Sequence, residues 1–420
     1  MPRLDSVQVC VDLERLGEVA AMGSLHRLDA RTGEIVSFEY ERSWIERADA
    51  FSFDPELALV AGSQYPGRGR SAFGIFLDSS PDRWGRVLMQ RRENTRARRE
   101  GRRPRTLTEW DFLLGVHDET RLGALRFRAA PDEPFVDSDG HLAAPPITSL
   151  RALQAASLRF EQFLDDENHP DYELWLAQLF APGTSLGGAR PKASVRDEAG
   201  GLCMAKFPSR QDTRDVGGWE LVAHRLAAQA GIDVPEARPL RLSGSPYTTF
   251  LVRRFDRNAQ GSRLAFVSAM TLTQREDGEA GASYLELVDL LQSRGASTRV
   301  DCEQLFRRVV FSILIHNTDD HLRNHGFFIE AQGLRLSPAY DLNPSVERRE
   351  LSLAINEVET ACDVSIALES CPDYGLTREQ ADGVVKQVRA AVGRWRNEAD
   401  ALRIPKSEQD LMATAFEGET

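Results

Sequence analysis

The chain has 420 residues, 41% of them apolar, with 52 basic and 64 acidic side chains and a net charge of -12. That length and apolar fraction suffice for two or three packed units and exclude a disordered chain. The acidic balance argues against a general nucleic-acid binder, and no apolar run approaches the roughly 18 residues of a membrane span.

In chain order, the first ~110 residues alternate short strand-like pieces with polar turns, and a helix is expected around Asp82 to Arg92. Arg83 to Arg105 carries ten arginines. Beyond the helix this cluster reads as a solvated, mobile loop; the sharper reading is contact with nucleic acid driven by counterion release. Pro131 to Pro146 is rich in Pro, Asp and Gly and reads as a linker. Helices follow from about Ser149 to Leu164 and around Leu174 to Phe180. Gly183 to Lys192 is a glycine-rich loop, and two strands flank a Gly200-Gly201 turn. A helix from about Trp219 to Ala230 places Trp219, Val222, Leu226 and Ala230 on one face, with Gly231 as its C-cap. Arg241 to Asp256 reads as another strand pair. Beyond Leu285 the pattern is mainly helical. The start, Met1-Pro2-Arg3-Leu4-Asp5, leads into no uninterrupted apolar stretch, so no signal peptide is expected. Five scattered cysteines form no Cys-x-x-Cys pair, which points to a reduced, cytoplasmic setting without structural zinc.

The densest chemistry lies in Ile315-His316-Asn317-Thr318-Asp319-Asp320-His321-Leu322-Arg323-Asn324-His325-Gly326. Asp319 and Asn324 stand in the Asp-x-x-x-x-Asn spacing of a kinase catalytic loop, where the Asp serves the substrate hydroxyl and the Asn holds a metal. Before it, Leu305, Phe306, Val309, Val310, Ile313 and Leu314 recur at helical spacing, a buried run that would fix the loop. His321 is expected to steady Asp319 or the loop backbone. Asp341, after a short hairpin over Phe327 to Leu336, is the candidate second metal ligand, and Mg²⁺ favours such oxygen donors. In the glycine-rich loop, amides near Gly187 and Gly188 can approach phosphate oxygens because no side chain blocks them. The loop lacks the Gly-Lys-Ser/Thr of a Walker A motif. Lys206 falls on an apolar strand face, so it either snorkels or pairs with an anion. The order glycine loop, strand lysine, helix glutamate (Glu220) matches the kinase arrangement; Glu220 is equally explained as a residue favoured by the helix dipole. The rival reading is zinc on His321-x-x-x-His325. The Asp-rich surroundings favour a hard cation instead.

Ser185-Leu186-Gly187-Gly188-Ala189-Arg190-Pro191-Lys192, the Asn317 to Gly326 loop and Ser337-Pro338-Ala339-Tyr340-Asp341 together resemble the HipA family of bacterial serine/threonine kinases, toxins of HipBA-type toxin–antitoxin modules. Gly74-Ile75-Phe76-Leu77-Asp78-Ser79-Ser80-Pro81-Asp82-Arg83-Trp84-Gly85 is similar to the signature of that family's N-terminal subdomain. Gly123-Ala124-Leu125-Arg126-Phe127 and Arg254-Phe255-Asp256-Arg257 are similar too.

The resemblance implies an α+β, two-lobed protein-kinase-like fold with an additional N-terminal subdomain over 1–130. It implies a kinase N-lobe over 131–256 and a mainly helical C-lobe over 257–420. It implies ATP and Mg²⁺, with Asp319 catalytic and Asn324 and Asp341 on the metal. Gly187, Gly188, Ala189, Lys192 and Lys206 would face the phosphates and Glu220 would orient Lys206. The adenine would meet backbone near Arg253 and Phe255, with Asp256 near the ribose. Ser185 falls where family members autophosphorylate, and a phosphate there would add about two negative charges to the loop. The implied partners are a HipB-like helix-turn-helix antitoxin and a protein substrate such as an aminoacyl-tRNA synthetase, with the arginine cluster as a candidate operator DNA contact. Arg323 departs from the common Lys before the Asn, offering a planar fork instead of a point charge. Phe266 to Asp289 fits the family least, which leaves the target open. Two alternatives stand beside this reading: a small-molecule or lipid-headgroup kinase, and a catalytically quiet co-repressor partner of a DNA-binding antitoxin.

Overall fold

The computed structural model describes residues 4–30, 33–138, 144–167, 169–180, 188 and 190–417. The chain forms two compact units, one of residues 1–211 with 256–267, the other of 212–255 with 268–420. Residues 131–211 thus fold with 1–130, whereas 212–255 fold with the C-terminal residues. No helix among the described residues is long and apolar enough to cross a membrane.

The first unit opens with β1 (Ser6–Val11), β2 (Ala20–Ala30) and β3 (Gly33–Tyr40). With β4 (Leu125–Arg128) they make an antiparallel sheet of order β3-β2-β1-β4. Val7, Val9, Leu25, Phe38 and Phe127 are buried, and Phe38 and Phe127 both pack on Phe76, at 5.7 and 6.2 Å between centroids. Gly23 is required there, because a Cβ would meet Glu39 O at 2.3 Å and the Phe38 ring at 2.4 Å.

The arginine-bearing segment departs from its expectation. It forms one helix, α1 (Arg83–Arg99), which continues seven residues past Arg92 instead of opening into a loop. Its apolar side, Trp84 and Leu88, packs on Phe160 of α2 (Leu150–Gln162) and on Tyr172, Leu176 and Leu179 of α3 (Tyr172–Phe180). Its arginines are answered locally. Ion pairs join Arg86 to Glu109, Arg91 and Arg98 to Glu167, Arg96 to Glu100, Arg99 to Glu173, Arg102 to Glu93, and Arg105 to Asp111. Arg92 stacks on Phe180 at 3.9 Å. Acidic partners remove the self-repulsion that would otherwise fray such a helix.

The hairpin of β5 (Lys192–Arg196) and β6 (Leu202–Lys206) turns at Gly200-Gly201 as the sequence indicates. It is tied back by a parallel bridge from Arg196 to Pro146 and by a buried Lys192 that reaches Asp82.

The second unit contains α4 (Val216–Gln229), the antiparallel pair β7 (Ala237–Leu240) and β8 (Thr249–Arg253), α5 (Tyr284–Arg294) and α6 (Thr298–Leu314). The hairpin of β9 (Gly326–Glu330) and β10 (Gly333–Leu336) follows, and four further helices complete the chain. Asp215 caps α4 by accepting the Gly218 N–H at 3.0 Å, and it also accepts the Thr248 N–H and hydroxyl, each at 2.7 Å. Trp219 of α4 packs against Trp395 and Phe416, whose rings stack at 5.0 Å. This contact holds 212–255 to the C-terminal helices.

Candidate active site

The site grows from α6. Five of the six apolar positions read from the spacing, Leu305, Phe306, Val309, Val310 and Ile313, are buried and Leu314 is half-buried, but Asp301, Arg307, Arg308 and Ser312 are buried too. The helix is therefore surrounded by protein, and its polar groups act as anchors. Arg308 donates to Ser337 O at 2.5 Å, and Asp301 accepts the Leu336 N–H at 3.2 Å. Those contacts fix the strand end that leads to Asp341. The same helix runs directly into the polar loop, so one rigid element positions both candidate segments.

Two residues leave ordinary backbone space at the site. His316 has φ +47° and Asp341 has φ +59°. Left-handed conformation disfavours residues with a Cβ by roughly 1–2 kcal/mol, and such strain gathers at functional sites. Here hydrogen bonds enforce it: His316 O accepts N–H groups from Thr318 at 2.8 Å and Ser345 at 3.1 Å. Two further bonds join the loops, Tyr340 hydroxyl to Arg323 O at 2.6 Å and Asn343 N–H to Asn317 Oδ1 at 3.1 Å.

The neighbouring carboxylates diverge. Asp319 is exposed, while Asp320 is 3% exposed. Asp320 Oδ2 accepts the Tyr284 hydroxyl at 2.6 Å and the Ser312 hydroxyl at 3.0 Å, and Oδ1 lies 2.9 Å from His325 Nε2. That last contact is close but not aligned as a hydrogen bond. Burial pushes the Asp320 carboxyl up; the charge of His325 and the surrounding donors outweigh it and hold the carboxyl below its usual value. Burial and the neighbouring Asp320 push the Tyr284 phenol well up, so it remains a donor. Asn324 donates its Nδ2 to Asp319 O at 3.2 Å, which leaves its carboxamide oxygen for a ligand. Asp341 is half-buried, and its Oδ1 accepts Asn343 Nδ2 at 3.0 Å. The half-buried His321 stands at the N-cap of the 3-10 turn Leu322–Asn324, where its backbone carbonyl, not its imidazole, accepts the Asn324 N–H at 2.8 Å.

The donors on offer are carboxylate and carboxamide oxygens, which fit Mg²⁺. Among the described residues, no three His, Cys, Asp or Glu side chains gather to hold a metal alone. The zinc alternative loses its geometry. His321 and His325 flank a 3-10 turn, not an α-helix, and His325 is buried against Asp320.

The remaining candidates have varied surroundings. Ser185, Gly187 and Ala189 lie outside the described residues. Lys192 is 1% exposed, and its ammonium meets Asp82 Oδ2 at 2.6 Å and Gly188 O at 2.8 Å. It therefore braces the base of the glycine-rich segment. Asp82 also accepts the Gly85 N–H at 2.8 Å, so the Ser79 to Gly85 motif caps α1 and holds Lys192 with one carboxylate. Lys206 ends β6 and is buried; Glu220 is buried in α4. Arg253 is exposed at the end of β8. The Phe255 ring stacks on Tyr340 at 5.0 Å, beside Asp341 in sequence. Asp256 departs from its expectation. It is 0% exposed, and its Oδ2 accepts the Gly123 N–H at 2.9 Å and meets Arg257 at 2.5 Å. Its carboxylate has no exposed atom for a ribose; it stitches the Gly123 to Phe127 motif to the Arg254 to Arg257 motif.

Sequence reasoning passed over Ser312, Asn317, Asn343 and Tyr284. Asn317 sits within the recognised loop motif and could have been found there; Asn343 lies two residues past the Asp341 motif. Tyr284 stands 36 residues from Asp320, and no local pattern marks it.

Residues 184–395, 212 of the 420, match the family model of the HipA-like C-terminal domain. The chain belongs to that family. Sequence relatives include Y4mE of Sinorhizobium fredii, provisionally named a kinase, 23% identical over 234 residues that cover 51% of this chain and 54% of the relative. Y4dM of the same organism, named in the same way, is 27% identical over 290 residues, 65% of this chain and 66% of the relative. The chain thus spans from about half to just under two thirds of the curated relatives it matches. Among solved structures, a chain of the Shewanella oneidensis MR-1 complex of HipA, HipB and operator DNA superposes with a TM-score of 0.60 at 17% identity. The match covers 98% of this chain and 95% of that one, and it shows a shared HipA kinase-like α+β fold.

Proposed function

We propose that the protein is an ATP- and Mg²⁺-dependent kinase that phosphorylates a Ser or Thr hydroxyl of a protein. It would act as the toxin of a HipBA-type module held by a HipB-like antitoxin in the cytoplasm. The observation that carries this reading is the pairing of two loops by direct hydrogen bonds, one carrying the exposed Asp319 and the buried Asn324, the other the half-buried Asp341. Phosphoryl transfer is mainly positioning and charge stabilisation, so a rigid bracket of oxygen donors is what it requires. In this reading Asp319 accepts the proton of the attacking hydroxyl. Asn324 and Asp341 hold Mg²⁺, which when bound neutralises charge on the transferring phosphoryl group. Lys206, oriented by Glu220, holds phosphates, and backbone near Gly188 covers them. The Phe255–Tyr340 stack offers an aromatic surface for the adenine end. Ser185 is the proposed autophosphorylation site.

Family membership and the shared fold support the antitoxin as partner, since the similar solved chain comes from a complex of HipA with HipB and operator DNA. Direct DNA contact through Arg83 to Arg105 is less favoured, because its charges are largely answered by Glu93, Glu167, Glu173 and their neighbours. Arg323 reaches toward Asp277 at 4.0 Å, in the segment that fits the family least.

The test is transfer of labelled γ-phosphate from ATP by the purified protein with Mg²⁺. Asp319→Asn should lower the rate about 10²-fold or more, the usual size of a general-base contribution, with the melting temperature kept. Transfer by Asp319→Asn at the wild-type rate would remove the mechanism.

A further inference from the structure

A chain of polar contacts, buried at Asp320, Ser312 and Asn317 and half-buried at Asn343 and Asp341, connects the loop of Asp319 with the loop of Asp341. Starting at the second loop, Asn343 donates Nδ2 to Asp341 Oδ1 at 3.0 Å and its backbone N–H to Asn317 Oδ1 at 3.1 Å. Asn317 is 1% exposed and donates Nδ2 to the Ser312 hydroxyl oxygen at 3.4 Å. Ser312 in turn donates to Asp320 Oδ2 at 3.0 Å, and the Tyr284 hydroxyl closes on the same oxygen at 2.6 Å. Each hydroxyl or amide has one direction open to it. Asp320 accepts only, so Ser312 must donate to it and its remaining lone pairs must receive Asn317. That leaves Asn317 Oδ1 to accept Asn343. The direction of every bond is thus fixed from the buried carboxylate as far as the Asn343 N–H, and the acceptor-only carboxylate of Asp341 fixes the direction of the last.

We infer that Asn317 is a positioning residue that sets the spacing between Asn324 and Asp341 for a divalent cation, with Asp320 as its buried anchor. This inference rests on the kinase reading above and adds to it a residue that neither the Asp-x-x-x-x-Asn spacing nor the Tyr-Asp pair marks. The physical reason is that a metal carboxylate must be held by its own partners to keep its geometry. Loss of such an outer partner typically weakens metal affinity 10–100-fold. Asn343 is that partner for Asp341, and Asn317 fixes Asn343. Asn317 also lies two residues before Asp319 and accepts, through its backbone oxygen, the Asp320 N–H at 3.3 Å. One side chain and one carbonyl of the same residue thereby bind both loops.

The test uses the full chain and titration calorimetry with a non-hydrolysable ATP analogue, with and without Mg²⁺, so that no turnover enters the reading. Wild type should bind the analogue more tightly with the ion. In Asn317→Ala that gain should fall about 10-fold or more, while affinity without the ion stays the same. Ser312→Ala, which removes the middle link from a helix and leaves both loops intact, should shift the gain in the same direction by less, and it decides the matter if Asn317→Ala does not fold. A wild-type Mg²⁺ gain in folded Asn317→Ala overturns the inference, and so does an equal fall with and without the ion, which marks a merely structural role. A wild-type protein with no Mg²⁺-dependent binding at all overturns the kinase reading itself and the inference with it.

Discussion

The arginine-bearing α1 and the loop from Ile315 to Gly326 are both rich in polar residues, and they resolve their polarity in opposite ways. In α1 and the residues just after it, charge meets charge: the arginines from Arg86 to Arg105 find Glu93, Glu100, Glu109, Asp111, Glu167 and Glu173 within their own unit. In the loop, Asp320 takes hydroxyls, an imidazole and, through Ser312, a chain of carboxamides, while its neighbour Asp319 stays exposed. Density of polar residues in sequence is therefore a poor guide to function. What separates the two is whether a group is left to act outward. A buried, ordered network beside one exposed carboxylate is the form a catalytic loop takes; mutual neutralisation on a helix surface is the form a structural element takes.

The largest effect that would break this comparison is at Asp320. Asp320→Ala leaves the Tyr284 and Ser312 hydroxyls buried without their acceptor and removes the carboxylate beside His325, a loss of about 1–3 kcal/mol for each unsatisfied group. Urea unfolding should show it as a lower midpoint. The acid side gives the sign. The folded carboxyl titrates below its unfolded value of 3.8, so its stabilisation is complete above that pH and is lost as pH falls through the lower folded value. Wild-type unfolding free energy that matches the Ala variant at neutral pH would show that the network contributes nothing.

A buried carboxylate in the unit of α1 sharpens the contrast, with a smaller effect and the reverse sign. Asp54 is 2% exposed and accepts only backbone N–H groups, from Glu56 at 2.9 Å and Ile75 at 3.1 Å. Burial therefore dominates and pushes its carboxyl up to about 6. The folded state holds the proton more tightly than the unfolded chain, so stability is greatest below about pH 4 and declines as pH rises toward 6. A shift of about two units corresponds to about 3 kcal/mol at most. Asp54→Asn should flatten the unfolding free energy between pH 4 and 6; an unchanged slope would assign that titration elsewhere.

How much of this was legible in the sequence follows from distance along the chain. The β5–β6 hairpin was legible because Gly200-Gly201 marks its turn, and the hairpin of β9 and β10 was bracketed to within a residue. The buried face of α6 followed from apolar spacing. Asp319, Asn324 and Asp341 were legible as motifs, and their loops prove to be hydrogen-bonded to each other. The far end of α1 was not legible, since its acidic partners at Glu167 and Glu173 come some 70 residues later and its own pattern shows no apolar period. The same holds for Lys192: nothing local reveals that its charge is answered by Asp82, 110 residues earlier. Asp256 misled because its motif suggested a ligand while its carboxylate faces Gly123.

The smallest expected effect is on α1 itself. If its charges are neutralised within the unit, removing two of the exposed ones should hardly alter binding to nucleic acid. Arg96 and Arg99 are 60% and 70% exposed, and each already has an acidic partner. A free arginine released onto a phosphate would contribute close to one ion to the salt dependence of binding; a paired one must first leave its carboxylate, which offsets that gain. The double variant Arg96→Gln, Arg99→Gln should therefore bind duplex DNA with the same affinity and the same dependence on salt as the wild type. A salt slope lower by about two ions would instead show that these side chains leave Glu100 and Glu173 for phosphate, and α1 would join the loop as a segment that acts outward.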